Sequence, residues 1–306
     1  MNERLFRVMF DTGSCELWVA GTKSGFCEEH SCLDAPSEGS SGRTLYIEVS
    51  SRQYISGSVE GTVETLQVGI GDLRVEGQAV GVANRIEIPL FQQAEWDGIV
   101  GLAYPNAKVQ ESGIWPLMDT LMRSKALEQD LFTYYTNESF GAITFGGVNY
   151  AHTASKEALW VPLLEPKYWT LQLVSVLVGD YPLTQPSPRP VKAIIDTGTF
   201  LIYGPAAIME AILTLLESPS CDIESLPTLT FVFQGETELV DVALEPKDYV
   251  LRFETGAGVE CVTGLAADYS SSDWTLGQVF LSSYVSVFDR KNDRIGFLPK
   301  ASSSDL

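Results

Sequence analysis

The feature that most restricts this chain is a repeated heptapeptide. Val8-Met9-Phe10-Asp11-Thr12-Gly13-Ser14 returns as Ala193-Ile194-Ile195-Asp196-Thr197-Gly198-Thr199. Each copy is followed, about 80 to 90 residues on, by an apolar-apolar-Gly element: Ile99-Val100-Gly101 in the first half and Thr275-Leu276-Gly277 in the second. A repeat of this period implies two lobes of similar plan. One Asp-Thr-Gly triplet arises easily by chance. Two copies, each after a buried-type apolar run and before a hydroxyl residue, do not.

Most of the chain between the repeats reads as short strands and turns. Residues 44–49, 58–68, 73–82, 142–145, 170–178, 228–232 and 284–289 are rich in β-branched and aromatic residues, several with period-two alternation. The expected class is all-β with a few short helices. Two helices are predicted, at 115–124 with Pro116 early, and at 205–217 with Pro205 after Gly204. Gly146-Gly147 and the segment 149–156 break the pattern, so residues 1–152 are expected to form an N-terminal lobe and 153–306 a C-terminal lobe. The four prolines of residues 181–190 predict a stiff loop there and no strand.

Composition removes several functions. Of the 306 residues, 40 are Asp or Glu and 20 Lys or Arg, giving a net charge of −20. Nucleic acid, which needs a basic surface for counterion release, is not an expected partner. With 45% hydrophobic residues the chain can bury a sizeable core, and no apolar run approaches the 18 residues of a membrane span. The opening MNERLFRVMF lacks the apolar centre of a signal peptide, so the chain is either cytosolic or begins inside a longer natural chain.

Cysteine usage leans against the cytosol. Five cysteines, at 15, 27, 32, 221 and 261, leave one odd. Cys27 and Cys32 sit in a Gly-, Ser- and Glu-rich loop where a small disulfide is the simpler reading; Cys27-x2-His30-x-Cys32 as a metal site is the rival, without an evident fourth ligand. Asn137-Glu138-Ser139 is the single N-glycosylation sequon and supports secretion weakly.

An Asp at the end of an apolar strand, followed by Thr and Gly, lies in a tight turn. Gly13 and Gly198 permit that turn, Ser14 and Thr199 can orient the carboxylates, and Thr12 and Thr197 can tie the two loops together. If the lobes pair with pseudo-twofold symmetry, Asp11 and Asp196 face each other, share one proton and titrate as a coupled pair. One is then base and the other acid, able to activate water against an amide carbonyl without a covalent intermediate. The plainer alternative is that both aspartates only cap turns.

Over nearly its whole length the chain resembles a pepsin-family aspartic protease. The resemblance is carried in order by Phe10-Asp11-Thr12-Gly13-Ser14 with Leu17-Trp18, by Asp97-Gly98-Ile99-Val100-Gly101-Leu102-Ala103-Tyr104-Pro105, by Ile195-Asp196-Thr197-Gly198-Thr199, by Trp274-Thr275-Leu276-Gly277 and by Val287-Phe288-Asp289-Arg290. It implies a bilobal β fold with a substrate cleft between pseudo-twofold related lobes, Asp11 and Asp196 as the catalytic dyad, and a flap carrying Tyr54, Ser56 and Gly57. It also implies disulfides Cys27 with Cys32 and Cys221 with Cys261, leaving Cys15 unpaired. Met9, Trp18, Phe91, Trp96, Ile99 and Ile194 are candidates for lining an apolar substrate site, although each alone is an ordinary core residue.

The chain departs from the family pattern at Cys15, Glu16, Ile55 and Phe200, and it lacks the family's third disulfide loop, with residues 184–190 in its place. None of these changes removes a dyad group. The expected activity is that of a monomeric aspartic endopeptidase cleaving between bulky apolar residues at acid pH, sensitive to pepstatin-like inhibitors, needing no cofactor or metal, in an acidic vesicle or outside the cell. A catalytically silent member that binds peptide or protein is the second reading. A cysteine nucleophile built from Cys15 with His30 or His152 lacks any local signature. Family members carry a propeptide, an interlobe strand and a first hairpin ahead of the first triplet, so the first residue here is expected to be internal to a longer chain.

Overall fold

The computed structural model describes residues 4–34, 43–50, 56–89, 91–106, 109–110, 114–137, 140–184, 187–216, 221–256 and 258–301. The chain divides into two compact units: Met1–Glu128 with Thr197–Thr199, and Gln129–Asp196 with Phe200–Leu306. Among the described residues no helix is long and apolar enough to cross a membrane.

The first unit is built on β1 (Val8–Asp11), β2 (Leu17–Ala20), β3 (Arg43–Ser50), β4 (Ser56–Ile70), β5 (Leu73–Glu87) and β6 (Gly98–Gly101). They form one sheet in the order β1-β6-β2-β5-β4-β3. The buried β6 lies parallel to β1 on one side and antiparallel to β2 on the other, and β2 runs parallel to β5. Gly98 is dictated by that squeeze: a Cβ there would stand 2.1 Å from the Trp18 carbonyl oxygen. The long hairpin of β4 and β5 turns through Gly71, whose φ of +56° suits a residue without a side chain.

Helix α1 (Leu117–Arg123) buries Leu117, Met118 and Leu121 at helical spacing. It starts two residues later than the sequence suggests because Pro116 serves as its N-cap. The Arg123 guanidinium lies 3.4 Å over the Trp115 ring, a cation–π contact.

The second unit contains β7 (Leu131–Thr136), β8 (Gly141–Phe145), β9 (Leu159–Pro166), β10 (Trp169–Val178), β11 (Tyr181–Leu183), β12 (Val191–Ile195) and β13 (Ile202–Pro205). They are followed by β14 (Leu229–Gln234), β15 (Leu239–Leu244), β16 (Val250–Thr255), β17 (Gly258–Thr263), β18 (Leu265–Asp268), β19 (Trp274–Leu276), β20 (Tyr284–Asp289) and β21 (Arg294–Pro299). Thirteen of these strands join one sheet, and β16 with β17 forms a separate two-stranded ribbon. Helix α2 (Ala206–Leu216) buries Met209, Ile212 and Leu216 and contacts β13 and β18. Its predicted first residue, Pro205, instead ends β13.

The chain is therefore all-β with short helices, as its pattern implies. The sequence repeat is a repeat of strand pairing. In the first unit β1 runs parallel to β6, with Asp11 opposite Gly101; in the second, β12 runs parallel to β19, with Ile195 opposite Leu276. In the second unit β13 then pairs antiparallel with β19 and parallel with β18, as β2 does with β6 and β5 in the first. The apolar-apolar-Gly elements are the strands that receive the repeated heptapeptides.

One expectation fails. Tyr181–Leu183, read as loop from its prolines, is the strand β11, with Pro182 opposite Leu177 of β10. Gly179, at φ +58°, allows the tight reversal between the two strands. Among the described residues β11 pairs only with β10, which makes it an edge strand there, where a missing N–H need not cost a ladder bond.

Aromatic packing fills the second unit. Phe132 stacks on Phe288 at 4.7 Å with Trp169 edge-on to both, and Phe280 meets Phe231 and Phe297 edge-on. Each fully buried ring contributes roughly 1.5–3 kcal/mol by burial alone.

Lys300 is an exception within that apolar setting. Its ammonium donates to the carbonyl oxygens of Thr136 and Ser282 and lies 5.0 Å from the Tyr135 ring. Burial pulls its pKa down from 10.5 to about 8, the Asp248 charge opposing the shift. Between those two values the unfolded chain holds a proton that the fold has released, so stability rises with pH there. Denaturant titrations near pH 7.5 and pH 9.5 should show an increment on the order of 1 kcal/mol that Lys300→Met lacks.

Candidate active site

Three apolar residues of β1 lead into Asp11, which is the last residue of the strand and only 6% exposed. Its carbonyl accepts the Leu102 N–H at 2.7 Å, fixing the strand end against the residue that follows β6. The chain then turns back on itself. One carboxylate oxygen, Oδ1, accepts the Gly13 N–H at 2.8 Å, and Oδ2 accepts the Ser14 hydroxyl at 2.5 Å. Two donors on a buried carboxylate hold it in one orientation. The Ser14 carbonyl accepts from Ala103 N–H at 2.9 Å, which ties the turn to the same strand exit.

The second copy is built alike. Asp196 directly follows β12, is 5% exposed, and donates its N–H to the Leu276 carbonyl of β19 at 3.0 Å. Thr199 is buried and Gly198 half-buried. Beyond the turn, the Phe200 carbonyl accepts from Val279 N–H and the Leu201 carbonyl from Gly277 N–H. The Phe200 side chain is half exposed.

Thr197–Thr199 groups with the first unit, and the reason is a reciprocal exchange. Thr12 N–H donates to Thr197 Oγ1, and Thr197 N–H donates to Thr12 Oγ1, both at 3.0 Å; Thr197 Oγ1 in turn donates to the Phe10 carbonyl at 2.6 Å. Both threonines are at most 2% exposed, so these bonds form away from water, where an unmade one is costly.

Of the residues proposed to line an apolar substrate site, Trp18, Phe91 and Ile99 are at most 1% exposed and belong to one core cluster. Met9 and Trp96 are half-buried and pack against that cluster, and Ile194 is half-buried on β12. Tyr54 and Ile55 lie outside the described residues. Ser56 and Gly57 begin β4, in register with Ser50 and Val49 of β3.

Cys27 is bonded to Cys32 and Cys221 to Cys261. The first bond uses both thiols that the metal reading required, and among the described residues no His, Cys, Asp and Glu cluster has the arrangement of a metal site. Cys15 is free and buried, with the Asn106 amide nitrogen 3.2 Å from its sulfur. Burial, assisted by the Glu16 charge, pushes its thiol up to about 12, the opposite of an activated nucleophile.

Asp97 is a buried group that the motif reading names but gives no task. At 1% exposure, its Oδ2 accepts Arg7 N–H at 2.8 Å and its Oδ1 accepts Ser31 N–H at 2.9 Å. Its position next to a glycine-led apolar strand is the one sequence signal that it is buried.

These two hydrogen-bonded Asp-Thr-Gly turns, each at the exit of a strand pair of the same topology, define an aspartyl protease scaffold. A family model for eukaryotic aspartyl proteases matches residues 1–300, and the chain belongs to that family. It is 30% identical to plasmepsin VII of Plasmodium berghei (strain Anka), over 97% of this chain and 71% of that protein. It is also 32% identical to gastricsin of Mus musculus and 32% identical to cathepsin D of Clupea harengus, each over 96% of this chain and 77% of the relative.

Two measurements bear on this geometry. Thr12→Val or Thr197→Val leaves a buried amide without its acceptor, and each should lower unfolding stability by about 1–3 kcal/mol in denaturant titration. A thiol reagent should find no reactive group in the native protein and a single one after denaturation without reductant, that of Cys15.

Proposed function

We propose that this protein is an active aspartic endopeptidase that uses Asp11 and Asp196 as its dyad. One carboxyl takes a proton from water as that water attacks the peptide carbonyl, and the other, protonated, donates toward the carbonyl oxygen. No covalent intermediate and no cofactor enters this scheme. The observation that carries the reading is the duplicated buried turn: an aspartate at a strand exit, followed by a threonine whose amide and hydroxyl are both engaged by its counterpart. Ser14 and Gly13 hold the Asp11 carboxylate for proton transfer.

In this reading the segments 1–152 and 153–306 act as two lobes contributing one aspartate each. Tyr54, Ser56 and Gly57 belong to a flap over the substrate. Met9, Trp96 and Ile194 contact bulky apolar side chains, with Trp18, Phe91 and Ile99 supporting them from the core. The substrate is a peptide or protein, and the protein works as a monomer in the secretory route, in an acidic vesicle or after secretion; two disulfides are consistent with an oxidising compartment.

The test is hydrolysis of a quenched peptide with apolar residues flanking the scissile bond. The rate should be greatest at acid pH, fall as the pH rises, and be abolished by pepstatin, because the scheme needs one carboxyl protonated. Asp11→Asn and Asp196→Asn should each lower kcat by about 10²–10⁴-fold with little change in unfolding midpoint. A mutant within tenfold of the parent would overturn the dyad. Pepstatin binding without any turnover would select the silent peptide-binding reading instead.

A further inference from the structure

His30 and Asp97 form a second buried ionisable arrangement that the hydrolytic scheme does not use. The His30 ring is fully buried and stacks on Phe91 at 4.3 Å. Phe91 in turn packs edge-on against Trp96, at 5.2 Å. One ring nitrogen, Nε2, lies 2.9 Å from the Phe91 carbonyl oxygen, and the other, Nδ1, lies 3.4 Å from Asp97 Oδ1. Nδ1 is buried and makes no hydrogen bond at that separation.

The two neighbours make the same demand. A backbone carbonyl only accepts, and the Asp97 carboxylate, already taking N–H groups from Arg7 and Ser31, also acts as an acceptor. A neutral imidazole carries one donor. Whichever tautomer it adopts, one ring lone pair is left pointing at an oxygen in a buried site. Only the imidazolium, with two N–H donors, matches both sides. The other charged groups of the surrounding elements, Arg4, Arg7, Glu28, Glu29, Asp34 and Glu95, have exposed side chains, so Asp97 is the buried charge that faces the ring.

Asp97 is also the knot of the local backbone. Its N–H donates to the Arg7 carbonyl while its carboxylate accepts the Arg7 N–H, which clasps the residue just before β1. Its carbonyl accepts from Ala20 at the end of β2. We propose that His30 and Asp97 are an acid-closed clasp: proton uptake by the buried ring draws the disulfide loop onto Asp97 and tightens the entry to β1, the strand that ends in Asp11, together with the aromatic cluster behind Trp96. His30 is thus a positioning residue, acting through Asp97 and Phe91. The clasp lies wholly in the first unit and its test needs no turnover, so it stands or falls apart from the hydrolytic reading.

The test compares the parent with His30→Leu, which keeps the bulk without the charge, and His30→Gln, which keeps one donor without titrating. Between about pH 8 and pH 5.5 the parent's unfolding midpoint should gain about 2–4 °C relative to either variant. Amide exchange localises the effect. Protection of the Arg7 and Ser31 amides should drop about fivefold or more in both variants near pH 5.5 and stay within twofold of the parent near pH 8. Asp97→Asn should erase the same pH-dependent gain. A midpoint difference that is flat with pH, or equal loss of amide protection at both pH values, would reduce His30 to a packing residue and overturn the proposal.

Discussion

The parallel pairing of β1 with β6 is the constraint on which the first unit depends. β6 has four residues, all buried, and a strand on each side, so its backbone groups have no alternative partners. Glycine at its start allows the neighbouring strand to approach; the Leu102 N–H just past its end holds the carbonyl of Asp11. The carboxylate is therefore aimed by a chain of main-chain bonds, and only its final adjustment is left to Gly13 and Ser14. β12 pairs parallel with β19 in the same way and Asp196 follows it, its N–H bonded to the Leu276 carbonyl, although the flanking sequences share little beyond apolar character.

That dependence explains which features the sequence discloses. A triplet repeated after two apolar runs is visible because it is local, and the spacing to the partner strands is visible because both copies keep it. Strand identity in residues 56–87 follows from alternation and a glycine turn. Burial is different. Trp18, Phe91 and Ile99 look like candidates for a ligand-facing surface until packing puts them at the centre of a cluster, since whether an aromatic faces core or solvent is decided by partners far along the chain. β11 escaped for a related reason: proline forbids a donor, and whether a donor is needed depends on whether the strand is at an edge.

The loop from Phe26 to Leu33 makes the same point about chemistry. In sequence, Cys27, His30 and Cys32 offer three metal-ligating side chains within six residues. In the fold they separate into a disulfide and a ring turned inward onto Phe91, and Asp97, the acid that ring faces, comes from another part of the chain. Spacing reports which side chains are near one another along the chain, whereas function follows from the direction in which each one points.

The two disulfides close loops of very different length, with sequence separations of 5 and 40. On the chain-entropy account the longer one restricts the unfolded chain more, by roughly 2 kcal/mol. It is anchored at Cys261 in β17, within a two-stranded ribbon whose Phe253, Val259 and Val262 are exposed. An isolated two-stranded ribbon is marginal in water. Reduction would remove the link between Cys221 and that ribbon, leaving its already exposed apolar side chains on two strands held by their own ladder and by the chain on either side.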